Sequence, residues 1–266
     1  MNEGRQGNSE FNVTSYRNKY QDLRLSFEKD MKAYYLHYIF SGKQEGRTAT
    51  GKVELIPITI YNGVDYSAIY DFSFYVDRYG DLKDECEDND VAAIRHFVNF
   101  GMTEGRQASA NFSVKVYKNR YPDLRSSFGN DLKAYYLHYL SDGIREERTA
   151  TGSDELIGYI TVYQGIDYAD VYDFNYYIKH NSDIKKLYEN DDIKALEHFV
   201  QFGMNEGRQG CEDFNVKAYY NNYADLRNAY GSNYSLYYLH YINWGKKEGR
   251  NAKTFVYTMI MGTSNT

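Results

Sequence analysis

Histidine changes charge near neutral pH and is the commonest metal ligand, and this chain carries six. Five of them share one spacing. Each follows the acid of an Asp-Leu/Ile-Arg/Lys triplet by fifteen residues, as Asp22 to His37, Asp81 to His96, Asp123 to His138, Asp183 to His198 and Asp225 to His240. A zinc site draws several ligands together, often two His one helical turn apart. None of the five has a second His four residues on, and each sits beside aromatic residues. One imidazole per copy makes no ligand set, so packing or a hydrogen bond is the expected role; His180 lies off the spacing and reads as a solvated helix residue. Paired catalytic carboxylates depend on unlike environments, whereas the five triplet acids are equivalent to one another. Each is expected to cap a helix or to pair with an arginine. No GxSxG, HExxH or phosphate-loop pattern occurs. Cys86 fills a position held elsewhere by Phe27, Phe128, Tyr188 and Tyr230, and Cys211 lies in a short junction; both are expected to be free thiols. Two cysteines furnish neither a disulfide framework nor a four-thiolate zinc site. No catalytic residue, metal or cofactor is expected, and an enzyme is the least favoured reading.

The histidine spacing belongs to a larger period, the signature of a repeat architecture. Phe11-Asn12-Val13, Tyr16, Tyr20 and Asp22-Leu23-Arg24 define a frame that returns from Tyr70, Phe112, Tyr172 and Phe214. Glycine stands five residues beyond each His (Gly42, Gly101, Gly143, Gly203, Gly245) and arginine ten beyond (Arg47, Arg106, Arg148, Arg208, Arg250), which makes each copy 37 residues. Copies with Tyr-Tyr-Leu-His-Tyr, at 34–38, 135–139 and 237–241, form a first type; those with His-Phe-Val, at 96–98 and 198–200, form a second. Second-type copies run into first-type copies across five residues, and the reverse step uses a longer connector, 48–69 or 149–171, so that pairs repeat about every 102 residues. The expected divisions are a partial repeat end at 1–10, a first-type repeat at 11–51, connector plus repeat pair at 52–152 and again at 153–253, and a truncated connector at 254–266. Both ends fall inside the pattern, the expectation for a piece of a longer array.

Each copy reads as three short helices, giving a mostly α fold with short extended connectors. Asn12, Asp71, Ser113, Asp173 and Asn215 are good N-caps. An aromatic precedes each cap and a Tyr follows it by four, the hydrophobic-staple pattern that fixes how the chain enters a helix. Pro122 supports a break before Asp123, the start of a second helix. A third begins after Asp30, Asn89, Asp131, Asp191 or Asn233 and presents an apolar i, i+3, i+4 face around the His. Gly46, Gly105, Gly207 and Gly249 suit a left-handed turn at its end. Glu147 replaces that glycine in the third copy and would carry strain on the order of 1–2 kcal/mol at positive φ. Residues 53–60 and 155–162 have strand-like β-branched content, with Pro57 demoting the first to an edge strand or extended arm; 61–66 and 163–168 read as turns.

Thirty-one lysines and arginines against 37 acids leave a net charge of −6 with no basic block, which argues against nucleic acid and a polybasic membrane patch. No apolar run approaches the ~20 residues that span a bilayer, and the N-terminus lacks a secretory h-region. Two prolines suit helices; 31 tyrosines need a reason. Adjacent tyrosines on a helix point about 100° apart, so one ring of each pair is expected nearer the surface. Tyr34, Tyr135 and Tyr237 are therefore candidate ligand-binding residues, with Trp244, whose counterparts Ser41 and Asp142 mark a slot that tolerates polar side chains. The competing reading buries the tyrosines between neighbouring repeats.

The run from Tyr61 to Phe72, the segment from His96 to Arg106 and Tyr135-Tyr136-Leu137-His138-Tyr139 resemble the tyrosine-rich tandem repeats of secreted or surface proteins from gut anaerobic Firmicutes. Such repeats often accompany cell-wall hydrolases. The resemblance covers nearly the whole chain. It implies an extracellular or cell-surface, non-catalytic attachment role, with cell-wall glycan or another polysaccharide as partner. It also leaves open a protein-binding adhesin for a host glycoprotein or immunoglobulin, and a passive stiff spacer.

Overall fold

The computed structural model describes residues 10–256, so the expectations for 1–9 and 257–266 lie outside the described residues. The fold is mostly α, with two small two-stranded sheets among the described residues. The described residues pack as two compact units, the first running to residue 117 and including 131–153, the second made of 118–130 and the described residues from 154 onward. The division runs through the third copy, whose helix Val114–Arg120 spans it and whose helix Pro122–Phe128 belongs to the second unit.

Local structure follows the capping chemistry. In the first unit Asn12 accepts from the Ser15 N–H at 2.9 Å and starts helix Val13–Lys19; Asp71 does the same for Phe72–Arg78 at 2.7 Å. In the second unit Asp173 and Asn215 open Phe174–His180 and Val216–Asn222. The residue before the cap packs at a tilt against the Tyr that follows, with ring centroids 5.5 Å apart for Phe11 and Tyr16 and 5.8 Å for Tyr70 and Tyr75. Second helices such as Gln21–Phe27, Pro122–Phe128 and Ala224–Tyr230 begin one residue before the triplet Asp; Pro122 thus sits inside the first turn, where its missing N–H has no helical partner to lose. Third helices start at the expected caps, except that Asn233 makes no capping bond.

Each segment closes on itself. The cap N–H donates to a carbonyl just past the terminal arginine: Asn12 to Ala49 at 2.8 Å, Asp71 to Ala108 at 2.7 Å and Ser113 to Ala150 at 2.9 Å in the first unit; Asp173 to Gly210 at 3.0 Å and Asn215 to Ala252 at 2.7 Å in the second. The terminal arginine locks the same junction by gripping the triplet Asp, as Arg47–Asp22, Arg106–Asp81, Arg208–Asp183 and Arg250–Asp225 do, each at 2.8 Å. Three of those guanidiniums also lie 4.8–4.9 Å over the ring of Tyr20, Tyr79 or Tyr223.

The third helices differ from expectation at their ends. After each His the helix widens into a five-residue π-turn, Tyr38–Gly42, Phe97–Gly101, Tyr139–Gly143, Phe199–Gly203 and Tyr241–Gly245. The widened turn carries its glycine onto a buried tyrosine hydroxyl. A Cβ at Gly42, Gly101, Gly143, Gly203 or Gly245 would stand 2.1–2.6 Å from that oxygen. The left-handed turn follows, with φ of 66–73° at Gly46, Gly105, Gly207 and Gly249, and 56° at Glu147, where the expected strain is present.

The connectors are not strands along their length. Among the described residues, Ile60–Tyr61 with Val64–Asp65, and Val162–Tyr163 with Ile166–Asp167, pair as ladders. Asn62 with Gly63 and Gln164 with Gly165, all at positive φ, make the two-residue turns that suit strand twist. Upstream, side chains satisfy the connector backbone. Arg24 Nη2 donates to Ile56 O at 2.8 Å, Asn18 Nδ2 to Val53 O at 2.8 Å, and Ile58 N donates to Asp90 Oδ2 at 3.1 Å. The second unit repeats this with Arg125 Nη2 on Ile157 O at 3.1 Å and Ile160 N on Asp192 Oδ2 at 3.0 Å.

Gly203→Ala is expected to destabilise the protein by about 1–3 kcal/mol, the usual penalty for overpacking, because its new methyl meets the Tyr177 hydroxyl. Gly80→Ala, which meets nothing within 4 Å, serves as the control. Urea unfolding of the two variants checks this: the Gly203 variant should lose midpoint and the Gly80 variant should not.

Candidate functional site

The histidines form the inner part of a recurring surface feature. Each Nδ1 bonds a buried tyrosine hydroxyl: Tyr16–His37, Tyr117–His138 and Tyr177–His198 at 3.0 Å, Tyr75–His96 and Tyr219–His240 at 2.9 Å. Burial pushes the Tyr16 phenol up to about 12, and raises Tyr75, Tyr177 and Tyr219 for the same first reason. The hydroxyls therefore stay protonated. For Tyr16, Tyr75, Tyr177 and Tyr219 the imidazole is the hydrogen-bond partner of the hydroxyl among the described residues. Since an unmade bond to a buried O–H is costly, the hydroxyl donates to Nδ1 and the imidazole proton rests on Nε2. His180, off the pattern, is exposed and lies 3.9 Å from the Tyr176 ring, as expected of a solvated helix residue.

Four residues past the His, on the π-turn, is the slot that holds Trp244. Its indole is 56 % exposed, as expected. The same slot holds Phe100 and Phe202, exposed by 57 % and 54 %, which the comparison with Ser41 and Asp142 alone had passed over. Aligning the second-type copies on their histidines would have found both. Each ring lies beside its imidazole, with centroids 5.6 Å apart for His96–Phe100, 5.5 Å for His198–Phe202 and 5.8 Å for His240–Trp244. The feature is thus a solvent-facing aromatic held against a histidine that is itself pinned from below.

Tyr34, Tyr135 and Tyr237 are not part of such a surface. All three are fully buried, and so are their neighbours Tyr136 and Tyr238; Tyr35 is half-buried. The expectation that one ring of each pair lies nearer the surface holds for Tyr34 and Tyr35 and fails for Tyr135 with Tyr136 and for Tyr237 with Tyr238, where the third helix is covered on two sides. Tyr136 packs 5.7 Å from Phe97 and 5.1 Å from Phe112, and Tyr238 packs 5.5 Å from Phe199 and 5.0 Å from Phe214, so each joins consecutive segments within its unit. Tyr34 and Tyr237 instead close the second helix by donating to Glu28 O at 3.0 Å and Gly231 O at 2.6 Å.

In the second unit a cavity of about 620 Å³ opens beside the Trp244 turn, lined by Tyr172, Tyr176, Cys211, Asp213, Tyr241 and Lys246. Charged side chains on its lining are paired, Lys246 with Asp170 within it and Asp213 with Lys253 outside it. Cys86 and Cys211 are free and buried, and burial raises both thiols above their usual value. Among the described residues no group of three or more His, Cys, Asp or Glu is arranged to hold a metal ion. No described helix is long and apolar enough to cross a membrane. Set against known proteins, the chain matches no family, no curated protein and no solved structure.

Acid should act on this feature in two stages. Burial, and then the charge of Arg208 or Arg250, lower His198 and His240 below the ordinary 6.5. The unfolded chain binds protons that these folded imidazoles refuse, so their stabilisation is complete above about pH 6.5 and is lost as pH falls below it. Asp22, Asp81 and Asp225, lowered first by hydrogen bonds from Arg47, Arg106 and Arg250, hold their contribution above their ordinary 3.8 and lose it further down. Urea midpoints measured from pH 8 to pH 3 should show both declines. His198→Gln with His240→Gln should remove the upper one, and a wild-type midpoint that is flat between pH 8 and about pH 5 would contradict this assignment.

Proposed function

We propose that the chain is a non-catalytic attachment module of a secreted or surface bacterial protein, holding cell-wall glycan or another polysaccharide through several weak sites. The observation that carries this reading is the exposed aromatic at one helical slot, filled by Phe100, Phe202 and Trp244. A rigid ring with a polar neighbour suits the apolar face of a sugar, and the imidazole at its edge can hydrogen-bond a hydroxyl. Each such contact is weak. A polymer that meets several of them gains effective concentration without any strong single site. The resemblance to tyrosine-rich surface repeats supports the same location and role.

Retention on insoluble peptidoglycan or polysaccharide, compared with retention on immunoglobulin beads, tests the proposal. The wild-type chain should be held by glycan. Trp244→Ala should weaken that binding about three- to tenfold, the range that loss of ~1 kcal/mol of aromatic contact implies. Adding Phe100→Ala and Phe202→Ala should abolish retention while leaving the urea midpoint intact, since all three rings are more than half exposed. Glycan retention that survives the triple change would remove the slot from the site. Capture on immunoglobulin alone would point to an adhesin, and retention on neither to a spacer.

A further inference from the structure

Glu28 stands where its turn calls for glycine. The Asp30 N–H donates to Phe27 O at 2.8 Å and closes a four-residue turn, with Glu28 at φ 45° and ψ −111° in its first central position. This is the mirror-image turn in which glycine normally holds that place. The other two first-type segments follow the rule, with Gly129 at 55° and −122° and Gly231 at 55° and −132°. A side chain there strains the backbone, and such strain persists only where the surroundings impose it.

What imposes it is the next segment of the same unit. The Glu28 carboxylate accepts from Arg95 Nη1 at 2.5 Å and Nη2 at 3.1 Å, a two-pronged pair, and from Asn89 Nδ2 at 3.1 Å. The Arg95 bonds, and then the Asn89 bond, hold its carboxyl below the ordinary range. Asn89 and Arg95 are the cap and the sixth residue of helix Asp90–His96. The second unit carries the opposite set. Asp191 and Glu197 replace Asn89 and Arg95, and the turn residue of that unit is Gly129. A Cβ at Gly129 would meet nothing within 4 Å, so lack of room is not what keeps a side chain out. Glu197 accepts instead from the Tyr163 hydroxyl at 3.5 Å and Gln201 Nε2 at 3.1 Å. Three positions thus change together, Glu–Asn–Arg in one unit and Gly–Asp–Glu in the other.

We propose that Glu28 is a recognition residue that selects which second-type segment docks on residues 11–51. It accepts one with asparagine and arginine at the cap and sixth residue of its third helix, and rejects one with aspartate and glutamate there. Segments this alike can dock on the wrong neighbour, within one chain or between two copies of it, a hazard of repeat arrays. The buried pairs Arg24–Asp90 and Arg125–Asp192 are the same in both units, and so are the rings of Phe97 and Phe199. Neither can tell one segment from the other. The turn carboxylate can, because it attracts the right partner and repels the wrong one. The inference is independent of glycan binding.

Amide hydrogen exchange on the full chain, which reads each segment separately, tests this. Arg95→Glu should speed exchange over helix Asp90–His96 at least about tenfold. Adding Glu28→Gly should return it to within about twofold of the wild-type rate. Glu28→Gln, which keeps the strained backbone and removes the charge, should also recover most of the loss. In the second unit Gly129→Glu should speed exchange over Asp192–His198, and Asp191→Asn with Glu197→Arg should reverse it. Backbone strain acting alone predicts the same gain from Glu28→Gly in the wild-type and Arg95→Glu chains, and no rescue by Glu28→Gln. Either of those results would overturn the proposal. So would unaltered exchange in the Arg95→Glu chain, or a Gly129→Glu chain that the double change does not restore.

Discussion

A tyrosine hydroxyl buried between a histidine Nδ1 and the bare Cα of a glycine is the constraint on which the rest of each segment depends. The hydroxyl must be there to give Nδ1 a donor, and the glycine must be there because no Cβ fits beside the oxygen. Bringing that glycine over the ring requires the helix to widen by one residue per turn, which is the origin of the π-turn. From the π-turn come two further consequences. The side chain four residues past the His is thrown outward, and the chain is aimed so that its terminal arginine reaches the triplet aspartate.

The connections between segments obey a different logic. Tyr136 and Tyr238 spread apolar area across them, but the connectors have too few ladder bonds to satisfy their own backbone. Arg24 with Asp90, and Arg125 with Asp192, supply that deficit as buried ion pairs in which the guanidinium also donates to a connector carbonyl and the paired carboxylate oxygen also accepts from a connector amide. A buried pair adds little net stability over apolar packing, yet breaking it is expensive. Its role here is register, since an aspartate one position away would leave both the guanidinium and the Ile58 N–H unmet.

Much of this was legible in the sequence. The caps at Asn12, Asp71, Asp173 and Asn215, the aromatic staple, the left-handed residue at Glu147 and the mostly α content follow from local rules that need only neighbours along the chain, and the arginine–aspartate pairs were legible from their recurrence in every copy. The π-turn was not legible, because its cause is a hydroxyl twenty-six residues upstream of the glycine, as in Tyr16 and Gly42. The fate of the tyrosine pairs was hidden for a similar reason. Helical geometry separates Tyr135 from Tyr136 but cannot say that both directions are covered. Residues 53–59 looked like a strand because β-branched content favours an extended backbone whether or not a second strand pairs with it. At the surface slot Trp244 stood out as the single tryptophan, while Phe100 and Phe202 were masked by the difference between the two kinds of copy.

Imidazole nitrogen-15 spectra at pH 7.5 probe the tyrosine–histidine–glycine contact most directly, because the tautomer of each ring reports which nitrogen faces the phenol. His37, His96, His138, His198 and His240 should show one common pattern, with the proton on Nε2 and Nδ1 shifted as a hydrogen-bond acceptor, and His180 should stand apart. Five rings in mixed or rapidly exchanging tautomers, or with the proton on Nδ1, would contradict the account.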